Sequence, residues 1–327
     1  MTCSQTLVKH AVSARKTSAD MAVTEKDDAH RRHVLVLGRA KTGTTFVAKS
    51  IQATCPDTTT HFVMEPRSAA TLDREMGPRE HATVVMKVLY DHFIDTPDIL
   101  NTLVTDKSKF PFHTIVSILR DPRDELVSRL MYRPIALLMR GKAQPKDLKA
   151  WIDVLKQREQ DDTISFFDVY NAFNDIYDDA VTPEREIASI NKHCIAYADF
   201  LERHASKVRR LHYEDSVMDD FIAIEPAVGW QISTTHETHK FDYTKRSSAV
   251  QNWPKWFHSS DIDKLQPLLG RGCERLGYPE WALPVSPDRT ISPAQHSGYA
   301  QKALSRYYRR GGPVRAFVQN LQLQLFG

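Results

Sequence analysis

Cysteine is scarce and scattered. Cys3, Cys55, Cys194 and Cys273 are the four in 327 residues, and no two form a Cys-x-x-Cys pair. That spacing argues against a thiolate metal site and a secreted disulfide framework. It predicts reduced thiols in a cytoplasmic protein. Long apolar runs are missing as well. Segments such as Val84–Met86 and Ile135–Met139 are short and interrupted, far from the ~20 residues that cross a bilayer. The first residues lack the apolar core of a secretory signal. There is no internal repeat and no low-complexity tract. A basic body is missing too. Lys and Arg number 44 against 41 Asp and Glu, for a net charge of +3. The excess lies at the ends: residues 1–33 carry +2 and residues 289–327 carry +6 with no acid, which leaves −5 for residues 34–288. Nucleic-acid binders usually present a basic face, so no nucleic-acid partner is expected. An anionic ligand in the body must be gripped by a few local cations.

What is present is a foldable chain. Hydrophobic residues make up 41%, enough for a sizeable core. Val34–Leu37 is a compact apolar run closed by Gly38, and residues 45–53 have helical spacing. A strand, a glycine-containing turn and a helix form half of a βαβ unit. Further strands are expected at Phe62–Met64, Thr83–Leu89, Thr114–Leu119 and Val208–Tyr213. Helical patterns fall at about 123–140, 148–158, 184–205, 216–224 and 261–276. Alternating strands and helices predict an α/β fold, with a central, mostly parallel sheet flanked by helices. The expected organisation is a flexible polar tail over 1–32, one domain over 33–288 and a basic C-terminal extension over 289–327. Within the domain, about 141–190 reads as a helical acidic insertion. Residues 151–190 carry a net charge of −7, together with Phe166, Phe167, Tyr170, Phe173 and Tyr177.

The most informative segment is Gly38-Arg39-Ala40-Lys41-Thr42-Gly43-Thr44-Thr45, directly after the first strand. Its glycine frame matches a phosphate-binding P-loop, in which backbone N–H groups and a helix N-terminus face an anion. A nucleoside-triphosphatase loop has Lys immediately after the second Gly. Here Thr44 occupies that position, and the lysine is displaced to Lys41 inside the loop.

Lys41-Thr42-Gly43-Thr44-Thr45-Phe46 resembles the phosphosulfate loop of sulfotransferases that use 3′-phosphoadenosine 5′-phosphosulfate (PAPS). A second element falls in the family's order. Thr114–Leu119 is followed by Arg120-Asp121-Pro122-Arg123-Asp124, with Ser128 eight residues after Arg120. It resembles the segment whose Arg and Ser hold the nucleotide 3′-phosphate. Arg120 ends a strand, where open α/β sheets bind ligands, and a planar guanidinium suits a phosphate dianion. The other reading of Arg-Asp-Pro-Arg-Asp is a salt-bridged helix cap. Two weaker matches follow. Tyr213-Glu214-Asp215 is similar to a cofactor-proximal strand end. Lys245-Arg246-Ser247-Ser248 is similar to the loop that closes over the 3′-phosphate, although the family often has Arg-x-Gly there.

The resemblance implies a P-loop nucleotide-kinase-like sulfotransferase fold and PAPS as sulfuryl donor. Its donor site would include Arg39, Lys41, Thr42, Gly43, Thr44, Thr45, Arg120, Ser128, Tyr213, Lys245 and Arg246. Sulfuryl transfer moves a neutral SO3 unit between two oxygens, so no metal is expected. Lys41 is the candidate for steadying charge on the leaving phosphate. The acceptor hydroxyl needs a base. Glu65 is preferred, because Phe62–Pro66 is similar to a segment of carbohydrate sulfotransferases. An apolar wall is expected to raise its pKa. The other reading of Glu65 is a structural carboxylate paired with Arg67. His92 is the rival base, as in phenol and steroid sulfotransferases, although those have Lys-x-His and here Lys87 and His92 are five apart. The acceptor is expected to be a glycan or glycolipid. The segment 161–180 is read either as a lid that stacks sugar rings or as a helix with a buried apolar side. The basic C-terminal segment is read as a peripheral membrane contact or an exposed helix. The competing functions are a P-loop kinase or nucleoside triphosphatase, a small-molecule (phenol or alcohol) sulfotransferase with a His base, and a catalytically silent nucleotide-binding protein.

Overall fold

A computed structural model describes residues 32–76, 83–177, 181–234, 250–285 and 289–309. Most of the N-terminal tail, Lys245 and Arg246 lie outside the described residues.

Five strands form one parallel sheet: β1 (Val34–Gly38), β2 (Thr60–Met64), β3 (Thr83–Leu89), β4 (Thr114–Leu119) and β5 (Val208–His212), in the order β2-β3-β1-β4-β5. The expected α/β architecture and all five expected strands are present. The three inner strands are buried along their whole length, because helices cover both faces. Val34 and Val36 pack on one face with Val85, Val116 and Ile118, against Val47 and Ile51 of α1 (Thr44–Ala53). Leu35 and Leu37 pack on the other with Val84, Met86 and Val88. Alternate side chains thus enter two separate cores. A strand buried on both faces reads as an unbroken apolar run instead of an alternating one.

Of the remaining helices, α4 (Pro122–Met139), α5 (Pro145–Gln160) and α7 (Pro183–Arg203) follow the expected patterns and α6 (Phe166–Tyr177) lies in the expected helical insertion, whereas α2 (Ala69–Met76) and α3 (Pro97–Thr105) were not anticipated. The 216–224 expectation fails. A short α8 (Tyr213–Val217) and α9 (Glu225–Val228) flank a turn in which Asp219 has φ 62°. Beyond lie α10 (Trp253–Trp256), α11 (Ser259–Arg275) and α12 (Ser297–Arg309). α4 starts at a proline after an Asp121 cap that accepts the Arg123 N–H, the arrangement a missing proline N–H favours.

Packing bears on two segments for which the sequence left alternatives open, and for 161–180 the helix with a buried apolar side is the one present. Phe166, Phe167, Tyr170 and Phe173 are buried in the core on α6, so none is available to stack a sugar. The C-terminal helix is not a bare basic helix either. α12 buries Tyr299, Ala300, Leu304 and Tyr307 in the same core. The apolar side of α12 is thus buried in the domain, while residues 310–327, with Arg310 and Arg315, lie outside the described residues. No helix among the described residues is long and apolar enough to cross a membrane.

Candidate functional site

All five strands run the same way, so their C-terminal ends deliver side chains to one edge. The chain leaves β1 towards β2 and leaves β4 towards β5, on opposite sides. β1 and β4 are neighbours, and the crevice above such a reversal is where open sheets place ligands. The loop after β1 and Arg120 after β4 meet there.

Gly43 caps α1 with φ 88° and no side-chain hydrogen bond to the cap. The first N–H groups of α1 are therefore left without that capping partner, the arrangement that receives an anion. Tyr213 lies against Gly43 so closely that a Cβ there would overlap its ring. The same ring faces the Arg120 guanidinium, 4.6 Å from its centroid. Arg120 Nη1 donates to the Lys41 carbonyl at 2.8 Å. Arg120 is buried, and its Nε has no hydrogen-bond partner among the described residues. A buried guanidinium N–H without a partner is costly and points to an acceptor supplied by a ligand.

The loop closes on itself through the Thr42 hydroxyl, which donates to the Arg39 carbonyl at 2.8 Å. Thr44 is buried. The Lys41 ammonium stands 3.2 Å above the Tyr132 ring centroid, a cation–π contact with α4. Ser128 is partly exposed on α4. It lies four residues before Tyr132 and so on the same face of the helix.

Arg39 is corrected. Its side chain is 1% exposed and paired with Glu125, Nη1 to Oε2 at 3.0 Å. Nη1 also lies 2.5 Å from Cys194 Sγ. Burial pushes the Cys194 thiol up to about 12, so it stays protonated. Arg39 is therefore turned into the core behind the loop, where its Nε and Nη2 have no hydrogen-bond partner among the described residues. Asp91 joins the same group. It accepts the Ala40 N–H at 2.5 Å and stands 3.4 Å from Arg129, which also bonds Glu125 at 2.7 Å. Burial alone would raise the Asp91 carboxyl. His193, Arg129, Arg39 and the Ala40 N–H instead hold it far below the carboxylate range.

Towards β2 lies a second group. Lys87 is buried on β3; its ammonium donates to Thr45 Oγ1 at 2.6 Å and to Glu65 Oε1. Glu65 has φ 50°, and its N–H donates to the Lys87 carbonyl at 3.0 Å. This corrects the expected upward shift at Glu65. Burial does raise its pKa, but the Lys87 ammonium, His92 and Arg67 outweigh it, and the net direction is down. Glu65 forms its ion pair with Lys87. Lys87 is itself lowered by burial, against the pull of Glu65. His92 ends the 3-10 turn Tyr90–His92 after β3. Burial and then Arg67 lower its pKa against the pull of Glu65, and its buried Nδ1 has no hydrogen-bond partner among the described residues.

The helix-cap reading of residues 120–124 holds for two of them. Arg123 grips Asp121 through Nε and Nη2 at 2.8 and 2.7 Å, and its guanidinium faces Trp253 at 4.2 Å. Arg120 remains apart from that cap. A cleft of about 740 Å³ opens beside the Asp121–Arg123 cap, between Arg123, Trp253, Lys255 and Tyr278, and Arg120 does not line it. Among the described residues no group of three or more His, Cys, Asp or Glu side chains is placed to hold a metal ion.

Sequence reading missed Lys87 as the link between Thr45 and Glu65, and Asp91, Glu125 and Arg129 as the support behind the loop. The Glu125–Arg129 spacing of four was the available signal; Asp91 carried none.

The chain matches no family model and no curated protein. Among solved structures it is similar to mouse sulfotransferase SULT7A1 complexed with PAP, at 13% identity over 76% of this chain and 87% of that one, with a TM-score of 0.41.

Proposed function

We propose that the protein is a sulfotransferase that moves the sulfuryl group of PAPS to an acceptor hydroxyl. One observation carries the reading: a buried arginine at the end of β4 with an unpartnered Nε, bonded to the carbonyl of Lys41 in an anion-binding loop. Thr44 stands where a nucleoside triphosphatase would have its lysine, which disfavours the kinase reading. The residues suit the donor. The N–H groups that open α1 would hold a 5′-phosphate, and Arg120 with Ser128 would suit a 3′-phosphate.

The donor supplies an electrophilic sulfuryl group with a phosphate leaving group. With the donor bound, Thr45, bonded to the Lys87 ammonium, would orient that phosphate, and Lys41 would offset the charge it gains as its bond to sulfur breaks. Glu65 would accept the proton of the acceptor hydroxyl. Its low pKa keeps it ionised at neutral pH. The similarity of the Glu65-Pro66 segment to carbohydrate sulfotransferases favours a sugar hydroxyl. A second reading rests on the unpartnered Nδ1 of His92. That imidazole is neutral at pH 7 and would be the base, with Glu65 kept to its pair with Lys87.

The test compares thermal shifts with PAP alone and with ATP and Mg2+, followed by a PAPS-dependent acceptor screen read by mass spectrometry. Stabilisation by PAP and sulfated product are expected. Preference for ATP and Mg2+ overturns the reading in favour of a kinase. PAP binding with no transfer to glycans, glycolipids or phenols leaves a silent nucleotide-binding protein.

A further inference from the structure

The anion-binding loop contains a residue in the left-handed region that is not glycine. Lys41 has φ 69°. A side chain in that region costs about 1–3 kcal/mol and persists only where the surroundings fix it.

Three successive peptide units around it are held by three different side chains. Asp91 Oδ2 accepts the Ala40 N–H at 2.5 Å. Arg129 Nη2 donates to the Ala40 carbonyl at 3.4 Å. Arg120 Nη1 donates to the Lys41 carbonyl at 2.8 Å. The backbone has two soft angles per residue. Fixing the planes before and after Ala40 sets its pair, and fixing the planes before and after Lys41 sets the left-handed pair. Asp91 and Arg129 are also held to each other at 3.4 Å and are braced from below. Arg129 Nε and Arg39 Nη1 each bond Glu125, at 2.7 and 3.0 Å. His193 Nδ1 stands 3.6 Å from Asp91. Arg120 belongs to the proposed donor site, but Asp91 and Arg129 stand behind the loop.

We propose that Asp91 and Arg129 are positioning residues, which clamp Ala40 by its N–H and its carbonyl and so hold Lys41 and the following N–H groups in the geometry that receives the donor's phosphate. The inference rests on the sulfotransferase reading for the identity of the donor. The clamp itself concerns only the loop. Asp91 occupies the turn that also carries His92, so the same carboxylate ties that turn to the loop.

The experiment uses the full chain and reads two things: hydrogen exchange of the peptide spanning residues 39–45 without ligand, and PAP affinity by calorimetry without added metal. In Asp91→Ala, exchange of that peptide is expected to rise about tenfold or more, because a local opening is no longer opposed. PAP affinity is expected to fall about tenfold or more, the effect of losing one hydrogen bond to a charged group. Asp91→Asn keeps an oxygen for the Ala40 N–H and is expected to restore both to within about threefold of the parent. A merely structural loss of charge would affect Asn and Ala alike, and that result overturns the clamp. Unchanged exchange in Asp91→Ala also overturns it. If Asp91→Ala does not fold, Arg129→Gln, at the more exposed end, is read in its place. Faster exchange with weaker PAP binding supports the clamp, and parental values for either readout overturn it. If the parent protein does not bind PAP, the sulfotransferase reading fails. The exchange measurement, repeated with inorganic sulfate as probe, then decides the clamp alone.

Discussion

The ammonium of Lys87 holds the carboxylate of Glu65 and at the same time donates to Thr45 Oγ1 at 2.6 Å. A residue of the donor loop and the candidate base are thus joined through one buried cation. The pair also sets a pH dependence. Burial raises the Glu65 pKa, and Lys87, with His92 and Arg67 behind it, more than reverses this. A depressed carboxylate keeps its ionised, proton-accepting form below the usual ~4.3 for Glu and loses it only as pH falls through the lower value. The acid limb of the kcat/KM profile is therefore expected below the ordinary carboxylate range. In Lys87→Met burial acts without its main opponent, and the limb moves to higher pH. A limb that does not move between parent and Lys87→Met removes Glu65 from the proton-accepting role. In Glu65→Gln, turnover falls about 10²–10⁴-fold while PAP affinity stays within a few-fold. If His92→Gln shows that pattern and Glu65→Gln does not, the imidazole is the base.

Arg120 is expected to tolerate no replacement, lysine included. Lysine keeps the charge but loses the planar fork, the face presented to Tyr213 and the directed bond to the Lys41 carbonyl. PAP affinity in Arg120→Lys should fall about 10–100-fold, the range of a lost charge-assisted hydrogen bond. Calorimetry checks this, and binding within twofold of the parent would take Arg120 out of the donor site.

Arg39 is expected to act on stability. Its guanidinium is buried against Glu125; breaking a buried ion pair costs about 3–5 kcal/mol where the partner is left alone, and Arg129, which also bonds Glu125, keeps the loss at or below the lower end of that range. Arg39→Met should lower the unfolding free energy read from urea titration accordingly, and Arg39→Met with Glu125→Leu should recover much of it. An unchanged midpoint together with lost PAP affinity would return Arg39 to the donor site.

The strands were legible because both sheet faces are buried, and Val34–Leu37 or Thr114–Leu119 then stand out as unbroken apolar runs. The loop was legible because its job is done by backbone, which leaves a glycine frame in the sequence. Arg120 was legible from its place at a strand end. What was not legible depends on contacts between distant segments. Asp91 reaches Ala40 across 51 positions, and Lys87 reaches Thr45 across 42. Neither leaves a local pattern, and parallel crossovers alone bring them together. The aromatics of α6 left two readings open for a related reason. Composition shows Phe166 and Phe173 but not that they face Trp151 and Phe257. The direction of the Glu65 shift was misjudged because the apolar wall could be guessed and its buried cation could not.

Gly43 is the residue whose replacement should be least tolerated. It combines φ 88° with a Tyr213 ring in the space a Cβ would take. The two penalties are separable. In Gly43→Ala both apply: a left-handed alanine costs about 1–2 kcal/mol, and the ring must also be displaced from Arg120. Gly43→Ala with Tyr213→Ala removes the overlap and keeps the backbone cost. The single variant is therefore expected to lose PAP binding and to melt several degrees lower, at about 2–4 °C per kcal/mol for a chain of this class. The double variant should regain part of the melting temperature. It should not regain PAP affinity, because it lacks the ring that faces Arg120 at 4.6 Å. Differential scanning calorimetry and titration with PAP read the two effects. A double variant no more stable than the single one would show that the ring overlap is not what excludes a side chain at Gly43.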